Sequence, residues 1–396
     1  MKILIVNTFY FPNMQGGAEH SVKLLAENLV KQGNQVAIYS VDTNLDFKKE
    51  VINGVKIYRA KAGIFSIDSR MGKNTRIINK FINKFIEMRN FFIKKDVLKI
   101  LNDFNPDVVH CNNIYGISPY VWKIVKKKNI KVVHTIRDYW IASPKVELKE
   151  YNKLKDKAFI KVYRSYFKRN SKYVDVVTAP SKFTLNKFKE FEYFQNAKFK
   201  HINNAIDIDL NETKLILKER LIRDREIIEF MFVGSINKMK GIDKLLEIFF
   251  KNKDKNIRLN IYGDGILNEL VKEYTIKDNR INFYGKLEKD DLKNEFIKND
   301  VLIVPSMWDE PFGRVVIEAN QYGLPVIGSD RGGIKEIIEN ISTGELFDSN
   351  NINNLLDLIK YFSNRDNIKK YYENIEKNIL KYSVEHQIKD FLRIYN

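Results

Sequence analysis

Two glutamates, Glu310 and Glu318, bracket the run Glu310-Pro-Phe-Gly-Arg-Val-Val-Ile-Glu318. An apolar stretch, Val301-Leu-Ile-Val-Pro305, precedes them and reads as a buried strand. Pro311 biases Glu310 away from helical backbone and is itself tolerated in the first turn of a helix. Glu310 is therefore expected in a loop, and Glu318 about one turn into the helix that follows. The free N–H groups at such a helix start favour an anion, whereas carboxylates repel phosphate and accept hydrogen bonds from hydroxyls. A site with both features suits a molecule that is part phosphate and part polyol, such as a nucleotide sugar.

A cation is available in Phe232-Val-Gly-Ser-Ile-Asn-Lys-Met-Lys-Gly241, which follows another apolar run. Lys240 stands beside Gly241 just before a helix, where an ammonium group can clamp a pyrophosphate leaving group. Lys238 offers the same charge two residues earlier. Gly16-Gly17-Ala18-Glu19 opens the first helix of the chain, and small residues there let a ligand reach bare backbone N–H groups. The preceding loop, Asn7–Gln15, lacks G-x-G-x-x-G spacing, which excludes the dinucleotide fingerprint. Tyr262-Gly-Asp-Gly265, Gly285-Lys-Leu287 and Ser329-Asp-Arg-Gly-Gly-Ile334 also end strands in glycine-rich or polar turns. Several such turns at one edge of a parallel sheet mark a ligand-binding edge. Asp207-Ile-Asp209 has no His or carboxylate cluster beside it and no Cys/His spacing suggests zinc, so no metal site is expected.

The elements that must position these residues alternate between strand and helix. In the first half, strands are expected at Lys2–Val6, Gln35–Tyr39, Val108–His110, Lys131–Thr135 and Val174–Ala179. In the second half they are expected at Ile228–Val233, Arg258–Tyr262, Arg280–Tyr284, Val301–Val304 and Pro325–Gly328. Helix Gly17–Gln32 carries Ala18, Val22, Leu25 and Leu29 on one face, with Gly33 as its stop. Ile242–Phe250 and Arg314–Tyr322 are further helices. Such alternation means parallel sheets covered on both faces by helices. The pattern predicts an α/β chain of two doubly wound Rossmann-like domains, residues 1–205 and 206–381, joined near His201–Leu210. Amphipathic helices are expected over Arg70–Leu101 and Ile368–Tyr395.

Cys111 is the single cysteine, so no internal disulfide is possible and a reducing compartment is expected. The apolar run Ile3–Val6 is too short for a signal-peptide core, and no uninterrupted membrane span follows. From both observations a cytoplasmic chain is expected. Residues 1–200 hold 38 Lys and Arg against 17 Asp and Glu, while residues 201–396 hold 30 against 33. The basic half calls for an anionic partner, and the inner face of the plasma membrane is one candidate surface.

Taken together, these motifs resemble the retaining nucleotide-sugar glycosyltransferases of family 4, over nearly the whole chain. Glu310–Glu318 matches the family's E-x7-E motif within EPFGRVVIEA. GGAE at 16–19, VGS…KG at 233–241, YGDG at 262–265 and TGELF at 343–347 match in the expected order. The resemblance implies the GT-B architecture, two such domains facing a central cleft, with the last helix, about 382–396, crossing back to the first domain. It implies a nucleotide-sugar donor and no metal or other cofactor.

The roles carried over are specific. Glu310, with the N–H groups of Phe312 and Gly313, would bind donor-sugar hydroxyls, and Glu318 would hold the ribose. Lys240, helped by Lys238, would sit on the diphosphate near Gly234, Ser235 and Gly263, with Gly16 and Gly17 approaching from the other domain. The backbone from Gly285 to Leu287 would lie near the base. Two positions depart from the family pattern. Ser235 stands where an arginine is frequent, and Arg137, beside Asp138, stands where many members have a histidine. Arginine cannot act as a general base, so Arg137 would bind an anionic acceptor or the donor. Asn112, Asn113, Tyr115, Arg137, Asp138, Tyr139 and Trp140 are the expected acceptor wall, for a glycan or a lipid-linked diphosphate. The expected reaction is sugar transfer with retained anomeric configuration. Rival readings are a phosphorylase or glycan synthase on the same fold and a non-enzymatic basic protein binding glycan or nucleic acid. A nucleic-acid partner leaves the paired carboxylates and glycine turns unexplained.

Overall fold

The computed structural model describes residues 1–14, 16–42, 47–60, 88–143 and 158–396. Much of the expected amphipathic segment Arg70–Leu101 therefore lies outside the described residues. Contacts divide the chain into two units: Met1–Ala205 with Val384–Asn396, and Ile206–Ser383.

The first unit is built on an eight-stranded sheet in the order β3-β4-β2-β1-β5-β6-β7-β8. Its strands are β1 (Lys2–Val6), β2 (Gln35–Val41), β3 (Lys48–Ile52), β4 (Val55–Ala60), β5 (Val108–Cys111), β6 (Lys131–Thr135), β7 (Val176–Ala179) and β8 (Lys198–His201). Central strand β1 is an apolar run after Lys2 because both its faces are buried, as parallel sheets require. Helix α1 (Gly17–Lys31) covers one face with Val22, Leu25, Ala26 and Leu29, all fully buried.

The edge differs from the expected all-parallel sheet. β3 pairs antiparallel with β4 through a two-residue turn at Asn53-Gly54, both at positive φ. Asn-Gly is the strongest short hairpin signal, because a type I′ turn needs left-handed backbone at both residues. A second difference falls at Arg89–Phe92, where the chain is not helical and the next helix, α2, begins at Ile93 and runs to Phe104. Asn90 holds this break: its Nδ2 donates to the Gly116 carbonyl at 2.6 Å and its Oδ1 accepts from the Phe92 amide at 3.0 Å. Asparagine side chains bonded to nearby backbone compete with helix in this way.

The second unit carries a six-stranded parallel sheet in the order β11-β10-β9-β12-β13-β14. Its strands are β9 (Ile228–Val233), β10 (Ile257–Tyr262), β11 (Ile281–Gly285), β12 (Val301–Val304), β13 (Val326–Ser329) and β14 (Gly344–Phe347). Asp207-Ile-Asp209 is structural: Asp209 caps the helix Leu210–Ile222, accepting from the Asn211 and Glu212 amides at 2.9 and 3.1 Å.

The segment expected as one helix over Ile368–Tyr395 is broken into Arg365–Lys369, Tyr372–Asn378, a 3-10 turn Ile379–Tyr382, and Val384–Tyr395. Ser383 is extended and bridges Ile206, so a continuous helix cannot pass through it. The final helix belongs to the first unit. Its Val384, Ile388, Phe391 and Tyr395 recur at helical spacing and enter that core. The Tyr395 hydroxyl bonds His110 Nδ1 at 2.7 Å, and His110 Nε2 bonds Thr135 Oγ1 at 2.7 Å.

Candidate active site

The second unit assembles its polar turns at the carboxyl ends of β9, β10, β12 and β13, the edge at which open parallel sheets take ligands. After β9, Asn237 accepts from the Lys240 amide at 3.0 Å and caps the 3-10 turn Lys238–Lys240. Gly241 then starts helix Ile242–Lys251 at φ 71°, and a Cβ there would stand 1.9 Å from the Pro305 carbonyl. Only glycine allows the lysine turn to press this closely on the end of β12. The turns after β9 and β10 are also locked together: the Gly234 amide donates to Tyr262 O at 3.1 Å, and the Ile236 amide to Asp264 O at 2.9 Å.

This packing brings together two residues 70 positions apart in sequence. Lys240 Nζ donates to Glu310 Oε1 at 2.8 Å. Ser306, at the end of β12, also donates its hydroxyl to that oxygen, and Lys240 lies over the Trp308 ring at 5.9 Å. The Glu310 side chain is 10% exposed and that of Lys240 29%. The pair is thus partly desolvated, yet open enough for a ligand to share it. An ammonium group has three donors, so two remain for a bound anion, and Glu310 Oε2 remains for a hydroxyl.

The backbone around Glu310 is held by the next loop. The Gly333 amide donates to Glu310 O at 2.8 Å. Gly332, at φ 52°, lies so close that a Cβ would stand 2.4 Å from the same carbonyl oxygen. Gly313 enters helix Arg314–Gln321 from a left-handed conformation with no side-chain cap. Among the described residues, the Phe312 and Gly313 amides find no acceptor. The helices Ile242–Lys251 and Gly332–Ile341 likewise begin without a side-chain cap. Uncapped N-termini and free amides beside one ammonium group form an anion-binding environment. Glu318 sits one turn into its helix and pairs with Arg314 Nε at 2.7 Å. Leu287 packs its side chain against the core of this unit.

Matches to two family models cover almost all of this architecture. Residues 15–210 match the model described as Glycosyltransferase Family 4, and residues 214–382 match Glycosyl transferases group 1. The chain belongs to glycosyltransferase family 4. An uncharacterized protein in the cps region of Klebsiella pneumoniae is 32% identical to this glycosyltransferase over 340 residues, 85% of this chain and 87% of that protein. An uncharacterized glycosyltransferase of Methanocaldococcus jannaschii is 27% identical over 363 residues, 87% of this chain and 84% of that one. Among solved structures, a sucrose-phosphate synthase from Thermosynechococcus elongatus superposes with a TM-score of 0.74 at 18% identity, covering 100% of this chain and 98% of that one. HepE of Anabaena, solved in complex with UDP, gives 0.68 at 16% identity, with coverages of 100% and 99%. The fold of the glycosyltransferase is therefore GT-B.

The first unit places its expected site residues less uniformly. Asn112, Asn113, Arg137, Asp138 and Trp140 line one small cavity at the carboxyl ends of β5 and β6. Arg137 Nε donates to Asn112 Oδ1 at 3.0 Å, and its Nη1 to Asn204 Oδ1. Tyr139 and Tyr115 are absent from that lining. Tyr139 is fully buried, stacked on Phe188 with ring centroids 6.2 Å apart, so it is a core ring and not an acceptor contact. Nor is the Gly16 amide bare: the Glu19 carboxylate accepts from it at 2.9 Å and closes the start of α1. His134 is no substitute base. Burial and then the Arg137 charge push its pKa down to about 3, and the same two causes hold His110 well below the usual histidine range.

Sequence reasoning missed Ser306, Asn237, Trp308, Arg314 and Asn204. Arg314 stands four residues before Glu318, a spacing that places two side chains on one helix face and could have been read. Asn237 three residues before Lys240 is a cap signal. Ser306, Trp308 and Asn204 had no local signal.

Proposed function

We propose that the enzyme moves a sugar from a nucleotide diphosphate donor to a hydroxyl of a glycan or lipid-linked acceptor, with retained anomeric configuration and without a metal. The observation that carries this reading is the Lys240–Glu310 pair beside the Phe312 and Gly313 amides. A sugar hydroxyl donates to Glu310 Oε2. The diphosphate takes the remaining Lys240 donors and the uncapped helix starts, and Glu318 accepts from the ribose. As the glycosidic bond breaks, negative charge grows on the departing phosphate and positive charge on the sugar ring. Lys240 answers the first. The acceptor attacks the same face that the leaving group vacates, and a phosphate oxygen takes its proton.

Arg137, tied to Asn112 and Asn204, is a fixed cation at the first unit's cavity and suits an anionic acceptor such as a lipid diphosphate. The Klebsiella relatives in a cps region support a role in surface polysaccharide synthesis. The test is incubation with nucleotide sugars and lipid-diphosphate or glycan acceptors, with proton NMR of the new anomeric centre. A product of retained configuration, formed in the presence of EDTA, is expected. An inverted product, or transfer abolished by EDTA and restored by a divalent cation, would overturn the mechanism.

A further inference from the structure

The amino-terminal edge of the first unit's sheet, opposite the Arg137 cavity, carries a basic groove that this reaction does not use. Helix Ala158–Ser171 directs Lys161, Arg164 and Lys168 along one face, and with Arg169 and Lys172 they line a concavity of about 600 Å³. Among the described residues, Glu192 is the only carboxylate in its lining, and it pairs with Lys168 at 3.2 Å. A second concavity, of about 640 Å³, shares Asn196 with the first and continues past the starts of β6, β7 and β8. Its cations are Lys126, Lys131, Lys198, Lys200 and Arg393. Asp175, the one carboxylate side chain there among the described residues, bonds Lys126. Lys161, Arg169, Lys172, Lys198 and Lys200 are exposed and have no carboxylate within ion-pair distance among the described residues.

So many unpaired like charges along one groove repel one another unless an anion lies there. The neutral residues where the concavities meet and beside them, Gln195, Asn196, Asn129 and Ser165, are donors and acceptors suited to hydroxyls. No aromatic side chain lines either concavity among the described residues, so nucleobases find no stacking face. Among the described residues, Val176 and Ile394 are the only apolar ones in the linings, too few for insertion into a lipid interface, and a planar headgroup layer does not fill a concave groove.

We propose that this groove is a second binding site, for an acidic glycan whose carboxylates or phosphates meet the lysines and whose hydroxyls meet the amides. The choice of a glycan among polyanions rests on the reading of the chain as a polysaccharide glycosyltransferase. Lying at the opposite edge of the sheet from the Arg137 cavity, it would hold a polymer strand without presenting the strand to chemistry there.

The test titrates polygalacturonate, neutral dextran, phosphatidylglycerol vesicles and single-stranded RNA into the full chain at low and high salt. The double variants Lys161→Glu/Lys172→Glu and Lys198→Glu/Lys200→Glu are compared with the parent, and the thermal response to nucleotide sugars is recorded for each. Polygalacturonate is expected to bind, to weaken with salt, and to lose about tenfold in affinity in each double variant. The nucleotide-sugar response should be unchanged. Polygalacturonate binding that ignores both double variants overturns the proposal, as does binding of vesicles or RNA alone. A parent that binds polygalacturonate but no nucleotide sugar leaves the groove standing and removes the donor reading instead.

Discussion

Replacing Gly332 by alanine tests whether the Glu310 loop is placed by backbone contact. Gly332 has φ 52°, where an alanine costs about 1–2 kcal/mol. Its new Cβ would stand 2.4 Å from Glu310 O and 2.7 Å from Glu310 N. Ordinary contact requires the Glu310 backbone to retreat by on the order of 1 Å, a displacement that costs roughly 10²-fold when it moves a group at the reacting centre. The expected outcome is a fall in kcat/KM of about that size, with a Tm lowered by roughly 2–8 °C. Gly33→Ala is the control. Gly33 has φ 80° and open space around its missing Cβ, so it carries the same backbone strain without displacing anything. Its Tm should fall comparably while kcat/KM stays within about twofold. Wild-type kcat/KM in Gly332→Ala, alongside the lowered Tm, would refute the claim that this contact positions Glu310.

Lys240→Met should lower kcat/KM by roughly 10²–10³-fold in donor-dependent turnover, with Lys240→Arg restoring only part; its Tm should also fall, because the Glu310 carboxylate, whose side chain is 10% exposed, is left without its cation. Acid should destabilise the chain through His110 and His134. Both are held neutral when folded and take up a proton on unfolding, so stability is present above pH 6.5 and is lost as pH falls towards the folded pKa. Each contributes up to ~1.4 kcal/mol per pH unit, and urea melts between pH 7 and pH 4.5 would show the loss; a flat profile would contradict it. Tyr395→Phe leaves a buried ring nitrogen of His110 without its hydroxyl and should cost about 1–3 kcal/mol in the same melts.

How much of this was legible in the sequence depended on whether the signal was local. The strand before Glu310, Pro311 after it and the turn to Glu318 are adjacent features, and they specify a loop carboxylate and a helix carboxylate. Five strands of the second sheet follow from apolar runs separated by glycine turns; the sixth, β14, is a short half-buried edge strand with no such run. The Lys240–Glu310 ion pair was not legible. It depends on Gly241 lying against Pro305, a contact between loops that follow different strands. The same limit hid Ser306 and Asn204.

Other failures were of reading. Asn53-Gly54 announces the β3–β4 hairpin, which stands outside the βα alternation of the rest of the sheet. Tyr139 neighbours Arg137 and Asp138, and that adjacency alone points to a ligand contact. The turn instead sends it into the core against Phe188, and sequence adjacency in a turn says little about direction. Ile368–Tyr395 has helical periodicity, but Ser383 is held extended by Ile206, a partner far away in the chain.

The central claim is that Glu310 holds the sugar while Lys240 and nearby amides hold its diphosphate. A thermal-shift comparison of the parent chain and Glu310→Ala, each with nucleotide sugars and with the matching bare nucleotide diphosphates, tests it most directly. In the parent, one nucleotide sugar at ~100 times its Kd should stabilise the fold by about 2.7 kcal/mol, a Tm rise of roughly 5–10 °C. In Glu310→Ala that rise should shrink to the level of the bare diphosphate, which both proteins bind alike. An undiminished sugar-specific rise in Glu310→Ala, or no response of the parent to any nucleotide sugar, would contradict the account.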